Sequence, residues 1–183
     1  MNKNDNVKIS KFLSKYLRHD PQAIGLELQE GGWVAVDDLL VACARHNLML
    51  THLELAEIVE SSDKKRFAFD ATGTLIRAQQ GHSVPVDLQL TPLAPPAVLY
   101  HGTVAAALPD IWREGLQKMS RHHVHLSPDV ETAQRVGGRR GKPVVLVVDA
   151  AALHKAGAVF YESGNGVWLV DQVPPGYLKE LAA

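Results

Sequence analysis

The sequence predicts an α+β protein in two unlike halves, a helical one followed by one richer in strands. Three observations carry this. Apolar residues recur at helical spacing early in the chain, whereas short apolar runs of strand length dominate after residue 97. Prolines at 85, 92, 95 and 96 separate the two regimes. Hydrophobic residues make up 46% of 183, which suffices for a packed core and argues against disorder.

Ile9, Phe12, Leu13, Tyr16 and Leu17 share one helical face, with Lys8, Lys11 and Lys15 on the other. Pro21 stops this helix and leaves Arg18 and His19 in its last turn. Gly31-Gly32 predicts a turn before Trp33-Val34-Ala35-Val36, and Asp37 an N-cap for a helix through about His46. Thr51 with Glu54 three residues on is a capping box opening a third helix. Arg66–Asp70 and Leu75–Gln79 flank Ala71-Thr72-Gly73-Thr74, a hairpin signal. Three helices and a hairpin make a winged-helix-like lobe over residues 1–83. Residues 84–97 form a linker without periodic pattern, and residues 98–183 a second lobe. There the pattern predicts a strand over Val98–His101, a helix over Val104–Glu114 closed by Gly115, and a strand over Val124–Ser127. A helix follows over Pro128–Val136 and a buried strand over Val144–Val148. Two last strands, Val159–Tyr161 and Val167–Val170, flank a turn at Glu162–Gly166.

Composition narrows the function classes. No apolar run is long enough to cross a bilayer, and the first six residues carry no stretch of signal-peptide type, so a cytoplasmic monomer without membrane partners is the expectation. The single cysteine, Cys43, excludes an internal disulfide and a cysteine-rich zinc site; it lies in the apolar run Leu39–Ala44 and reads as a buried thiol. Net charge is −1, which speaks against broad polyanion binding. The basic residues concentrate in two windows, Lys3–Arg18 and Arg113–Lys142, so nucleic-acid contact is expected through a few arginines.

Five constellations have residue types suited to anions or nucleotides, and each also has a plainer structural reading. Arg18-His19 offers a planar fork of donors beside a titratable ring; the same pair also complements a helix C-terminus. Arg66 and Arg77, on adjacent hairpin strands, are placed to share an anion, with Gln79, Gly81, His82 and Ser83 following; the alternative is a solvated hairpin face. His101-Gly102-Thr103 presents an imidazole and backbone amides at a strand end, or marks a strand terminus with Thr103 as helix N-cap. Arg121-His122-His123-Val124-His125-Leu126-Ser127 sets His123 and His125 on one strand face, yet no third ligand stands at a metal-binding spacing. Arg135 to Lys142, with Arg139 and Arg140, is a basic, glycine-containing loop that lacks the P-loop order.

Taken in order, these motifs resemble the RNA 2′-phosphotransferase family. The elements that carry the resemblance are Leu17-Arg18-His19-Asp20-Pro21, Arg66, Ile76-Arg77-Ala78-Gln79-Gln80-Gly81-His82-Ser83, Tyr100-His101-Gly102-Thr103, Arg121 with His123-Val124-His125-Leu126-Ser127, and Asn165-Gly166-Val167-Trp168-Leu169. They span about residues 7 to 175.

The resemblance implies an N-terminal RNA lobe and a C-terminal ADP-ribosyltransferase-like lobe that binds NAD as co-substrate, with no metal. It implies two steps. An internal RNA 2′-phosphate attacks C1″ of the nicotinamide ribose and expels nicotinamide, leaving ADP-ribosylated 2′-phospho-RNA. The ribose 2″-hydroxyl then attacks phosphorus, releasing 2′-hydroxyl RNA and ADP-ribose 1″,2″-cyclic phosphate. Spliced tRNA is the implied substrate in fungi and plants. The resemblance assigns catalysis to Arg18, His19, Arg66 and Arg121, NAD to His101, Gly102, Thr103, His125, Ser127 and Val167, and RNA or its phosphate to Arg77, Gln79, Gly81, His82 and Ser83; the basic loop adds Arg139 and Arg140 as further candidates for substrate phosphate. Many ADP-ribosyltransferases carry a glutamate in the slot where Val167 stands here. A phosphate nucleophile is already anionic and needs no carboxylate to activate it, so valine suits that acceptor. The rival expectations are ADP-ribose transfer to a terminal phosphate of nucleic acid or to protein, a winged-helix binding module without activity, and a small zinc protein built on His122, His123 and His125.

Overall fold

The structure, a computed structural model, describes residues 3–62 and 65–182. The chain divides into two units, Met1–Gln89 and Leu90–Ala183. The division falls among the prolines, but the proline-rich stretch is anchored at both ends. Asp87 accepts a bond from the Gly31 N–H and Leu88 is buried in the first unit, while Leu93 donates to Phe160 O in the second.

In the first unit helix α1 (Lys3–Arg18) turns Ile9, Leu13 and Leu17 into the core. It ends where expected, because Pro21 opens a short 3-10 turn, Pro21–Ile24, and has no N–H to extend the ladder. Strand β1 (Trp33–Ala35) leads directly into α2 (Val36–Arg45). Asp37 is therefore not the N-cap. Ala35 holds that place, and Asp37 sits in the first turn, where its carboxylate meets His52 Nε2 at 2.8 Å. The chain commits to the helix two residues early because Val36 N–H donates to Thr74 O. Helix α3 (His52–Glu60) has the full capping box: Glu54 N–H donates to Thr51 Oγ1, and Thr51 N–H donates back to Glu54. Strands β2 (Phe67–Phe69) and β3 (Leu75–Ala78) form the hairpin, and β1 pairs with the far side of β3 to give the order β1-β3-β2. Leu13, Leu17, Leu39, Leu55 and Ile76 are fully buried between the helices and this sheet. Cys43 lies among them, and burial pushes its thiol up to about 11.

The second unit starts with β4 (Val98–Val104), then α4 (Leu108–Glu114), β5 (Leu116–Gln117), β6 (Val124–Leu126), α5 (Val130–Gly137), β7 (Pro143–Asp149), α6 (Ala150–Lys155), β8 (Phe160–Glu162), β9 (Trp168–Val170), β10 (Gln172–Val173) and β11 (Leu178–Glu180). One sheet runs β11-β7-β4 and another β6-β9-β8, all antiparallel; β5 and β10 form a separate pair. The core, with Leu99, Leu126, Leu146, Val148, Phe160 and Val170, lies along these sheets. Two expectations are corrected. The first strand continues through Val104, because β7 matches it residue for residue from Val98↔Asp149 to Val104↔Pro143. Thr103 is thus a strand residue, and only the region from Leu108 forms the expected α-helix. The last long strand begins at Trp168, because Val167 N–H and C=O are both engaged by Ser163 in the preceding turn. Among the described residues no helix is long and apolar enough to cross a membrane.

Candidate active site

The end of α1 is stitched to the segment that leaves β3. Ser83 N–H donates to Arg18 O at 2.9 Å, and His19 Nδ1 lies 2.9 Å from Ser83 Oγ. Gly81 makes the approach possible at φ 86°, a left-handed conformation that costs glycine little. Three of the residues assigned from sequence, Arg18, His19 and Ser83, are thereby brought together. Arg66 stands just before β2, where its carbonyl accepts from Gln79 N–H, and Gln79 Nε2 donates to Lys65 O. Arg66 thus marks the open end of the hairpin, the end from which the Gly81–Ser83 turn departs.

Two residues of this group have structural positions instead of solvent-facing ones. Arg77 opposes Ala68, not Arg66; its guanidinium lies 4.5 Å from the Trp33 ring centre and donates from Nη1 to Gly31 O at 3.1 Å. Burial pushes its pKa down. It braces the Gly31–Gly32 turn, so the expected pairing of hairpin arginines on one anion is replaced by Arg66 opposite Gln79. His82 is 1% exposed and leaves no surface for a polymer to touch; its Nε2 would lie 3.5 Å from a Cβ at Gly32.

In the second unit the two sheets touch at one bridge. Tyr100 N–H donates to Ser127 O at 2.9 Å, and Ser127 N–H donates to Tyr100 O at 2.7 Å. Beyond it β4 and β6 part. Alternate residues of a strand aim their backbone groups to the same edge, so Gly102 presents its N–H and C=O on the edge that Tyr100 uses, away from β7. No described backbone group takes them. The His101 ring spans the gap: its Nδ1 lies 3.0 Å from His125 O. A carbonyl oxygen only accepts, so the His101 proton is on Nδ1 and Nε2 carries the lone pair. Burial pushes the His101 pKa below its ordinary value, the Arg140 charge adds to this, and the bond to His125 O opposes it.

His125 has the opposite tautomer. Arg121 Nη1 lies 3.3 Å from His125 Nδ1, and a guanidinium only donates, so that nitrogen accepts and the proton is on Nε2. Continuing the β6–β9 register from Leu126↔Trp168 puts Val167 beside Ser127. His101, Gly102, Thr103, His125, Ser127, Val167 and Arg121 therefore occupy one region of the second unit. His123 instead packs its ring edge-on against Tyr161, with ring centres 5.4 Å apart. Among the described residues no three histidine, cysteine, aspartate or glutamate side chains converge as a metal site.

Gly102 has a second, steric reason to be glycine. A Cβ there would lie 1.7 Å from Ala133 O and 2.8 Å from Gly137 N, because α5 packs directly on the β4 backbone. Gly137 answers it, with a Cβ that would lie 2.7 Å from Thr103 O. Sequence reasoning placed Gly137 in a flexible loop and missed this. The signal was present: Ala133 and Gly137 are small residues four apart on one helix face. The basic segment is thus helical through Gly137, with Arg135 bonded to Glu131 at 2.9 Å, and only residues 138–142 form a loop.

Comparison with known proteins points one way. A family model described as RNA 2′-phosphotransferase, Tpt1 / KptA family, matches residues 4–172. The chain is 63% identical over 175 residues to a "Probable RNA 2′-phosphotransferase" of Nostoc punctiforme, covering 96% of this chain and 97% of that one. It is 56% identical over 185 residues to one from Streptomyces griseus, covering 97% and 98%. A third, from Burkholderia pseudomallei, is 54% identical over 173 residues and covers 94% of each chain.

Proposed function

Because this chain belongs to the RNA 2′-phosphotransferase family, we propose that it removes an internal 2′-phosphate from RNA with NAD as co-substrate. In this reading the first unit is a winged-helix-like RNA lobe and the second an ADP-ribosyltransferase-like lobe. The observation that carries the NAD part is the gap between β4 and β6. Gly102 offers one N–H and one C=O on the open edge, the complement of a primary carboxamide such as that of nicotinamide. His101, fixed with Nδ1–H on His125 O, turns an acceptor nitrogen toward a ligand hydroxyl. Thr103, Ser127 and Val167 border the same edge, and the uncharged Val167 adds no repulsion against an incoming phosphate.

The 2′-phosphate falls to Arg18, His19 and Arg66, with Gln79, Gly81 and Ser83 shaping their surroundings. In the first step a phosphate oxygen bonds to C1″ as the bond to nicotinamide breaks. In the second the ribose 2″-hydroxyl oxygen bonds to phosphorus and gives up its proton to solvent, while the bond from phosphorus to the RNA 2′-oxygen breaks and that oxygen leaves with a proton for which His19 is the donor. Negative charge grows on the phosphoryl oxygens in this step, where preorganised guanidinium groups act most strongly. Arg121 is the cation assigned to it, and its bond to His125 holds it in place.

A short RNA with one internal 2′-phosphate, incubated with NAD, is expected to yield nicotinamide, 2′-hydroxyl RNA and a cyclic phosphate of ADP-ribose. RNA binding without nicotinamide release supports the inactive binding module instead, and ADP-ribose left on a terminal phosphate or on protein supports the rival transferase. Arg121→Ala should slow the second step by about 10²–10³, the typical cost of one such donor, so that ADP-ribosylated 2′-phospho-RNA accumulates and is trapped with labelled NAD. Loss of the first step alone counts against this assignment.

A further inference from the structure

Resting on the NAD reading above, we propose that Arg139 and Arg140 seat the pyrophosphate of the dinucleotide and do not contact RNA. The first support is backbone packing. Gly137 N would lie 2.8 Å from a Cβ at Gly102, so the turn that follows Gly137 is fixed beside the strand carrying His101, Gly102 and Thr103. Arg139 N–H bonds back to Val136 O, and Arg140 N–H to Gly137 O at 3.1 Å, which keeps that turn on the helix end.

The second support is charge. Among the described residues three other cations of this unit meet acids, while Arg121, Lys142, Lys155 and Lys179 do not. Arg113 meets Asp110 and Glu114, Lys118 meets Asp171, and Arg135, on the same helix, meets Glu131. Arg139 and Arg140 have no acidic partner within salt-bridge distance among the described residues. Their charge is felt where a dinucleotide would lie: Arg140 works against protonation of His101, and Arg140 and Arg139 against that of Arg121, each after burial. Two adjacent, exposed and uncompensated guanidinium groups suit a ligand with two adjacent anionic phosphates, and the backbone contact ties their turn to the strand that carries Gly102.

The test compares binding of ADP-ribose, adenosine and 2′-phosphorylated RNA by the intact chain. The double variant Arg139→Gln/Arg140→Gln should weaken ADP-ribose by about 100-fold, roughly tenfold for each charge-assisted bond lost. Adenosine and RNA affinities should hold within about twofold, since neither uses the pair. Arg139→Lys/Arg140→Lys should recover part of the ADP-ribose affinity, and Arg135→Gln should leave it unchanged. Unaltered melting temperatures exclude a folding defect. ADP-ribose affinity that survives in the double variant, or RNA affinity that falls in its place, overturns the assignment alone. A wild-type chain that neither binds ADP-ribose nor releases nicotinamide from NAD overturns the NAD reading and this inference with it.

Discussion

The two candidate ligand regions are held in opposite ways. In the first unit, polar ties gather the functional groups: Ser83 bonds the end of α1 through its backbone, and its hydroxyl meets His19. In the second, a gap between sheets exposes the Gly102 edge, and helix α5 locks that strand through backbone contact with no side chain between. A polar tie can be removed with the fold intact. A backbone contact leaves no room for one added methyl group. The first region should therefore tolerate substitution with graded loss of function, and the second should fail by losing structure.

The largest effect that separates them is steric. Gly102→Ala puts a Cβ 1.7 Å from Ala133 O, so α5 must leave β4. A loss of about 4 kcal/mol or more is expected, among the highest for a single substitution. Thermal denaturation should show the second unit melting early while the helices of the first persist. An unchanged melting profile would mean that α5 yields easily and that the contrast between the units is false.

Ser83→Ala sharpens the same contrast from the other side. It deletes the hydroxyl partner of His19 and leaves the Ser83 N–H bond to Arg18 O in place. Affinity for 2′-phosphorylated RNA should fall by about tenfold, the equivalent of one hydrogen bond, with ADP-ribose binding and melting temperature nearly unchanged. A comparable fall in ADP-ribose affinity would show that the hydroxyl serves both ligands.

The smallest expected effect is on pH dependence, and it has opposite sign in the two units. Burial holds His101 and His123 below their ordinary value of 6.5, so below that pH the unfolded chain takes up protons that the native second unit refuses. Stability present at neutral pH is then lost as pH falls from about 6.5. Cys43 behaves in reverse. Between its ordinary 9.0 and about 11 the unfolded thiol ionises while the native one keeps its proton, so the first unit loses stability as pH rises. Melting curves from pH 5 to 10 should show both slopes, and Cys43→Val should flatten only the alkaline one. If that substitution alters the acid slope as well, the two titrations do not belong to separate units.

Much of the local structure was legible because neighbouring residues encode it. The lysine-backed face of α1, its stop at Pro21, the Thr51–Glu54 capping box and the β2–β3 hairpin each follow from residues within a few positions of one another. Family motifs, read in order, pointed to the family that the comparisons show. Local pattern failed where a distant partner decided. Asp37 has the right chemistry for an N-cap, yet a bond from Val36 N–H to Thr74 O starts the helix before it. Arg77 looked like an anion ligand, but Trp33 and Gly31, more than forty residues away, already hold it.

The chain by itself thus determined its helices, its turns and the residue types that suit phosphate and dinucleotide, since spacing and side-chain chemistry are properties of short segments. Tertiary structure alone decided the long β4–β7 register, the opening between β4 and β6, the opposite tautomers of His101 and His125, and the embrace of Gly102 by Gly137. Each of those depends on which two distant backbones come within a few ångströms of each other, and no local periodicity carries that information.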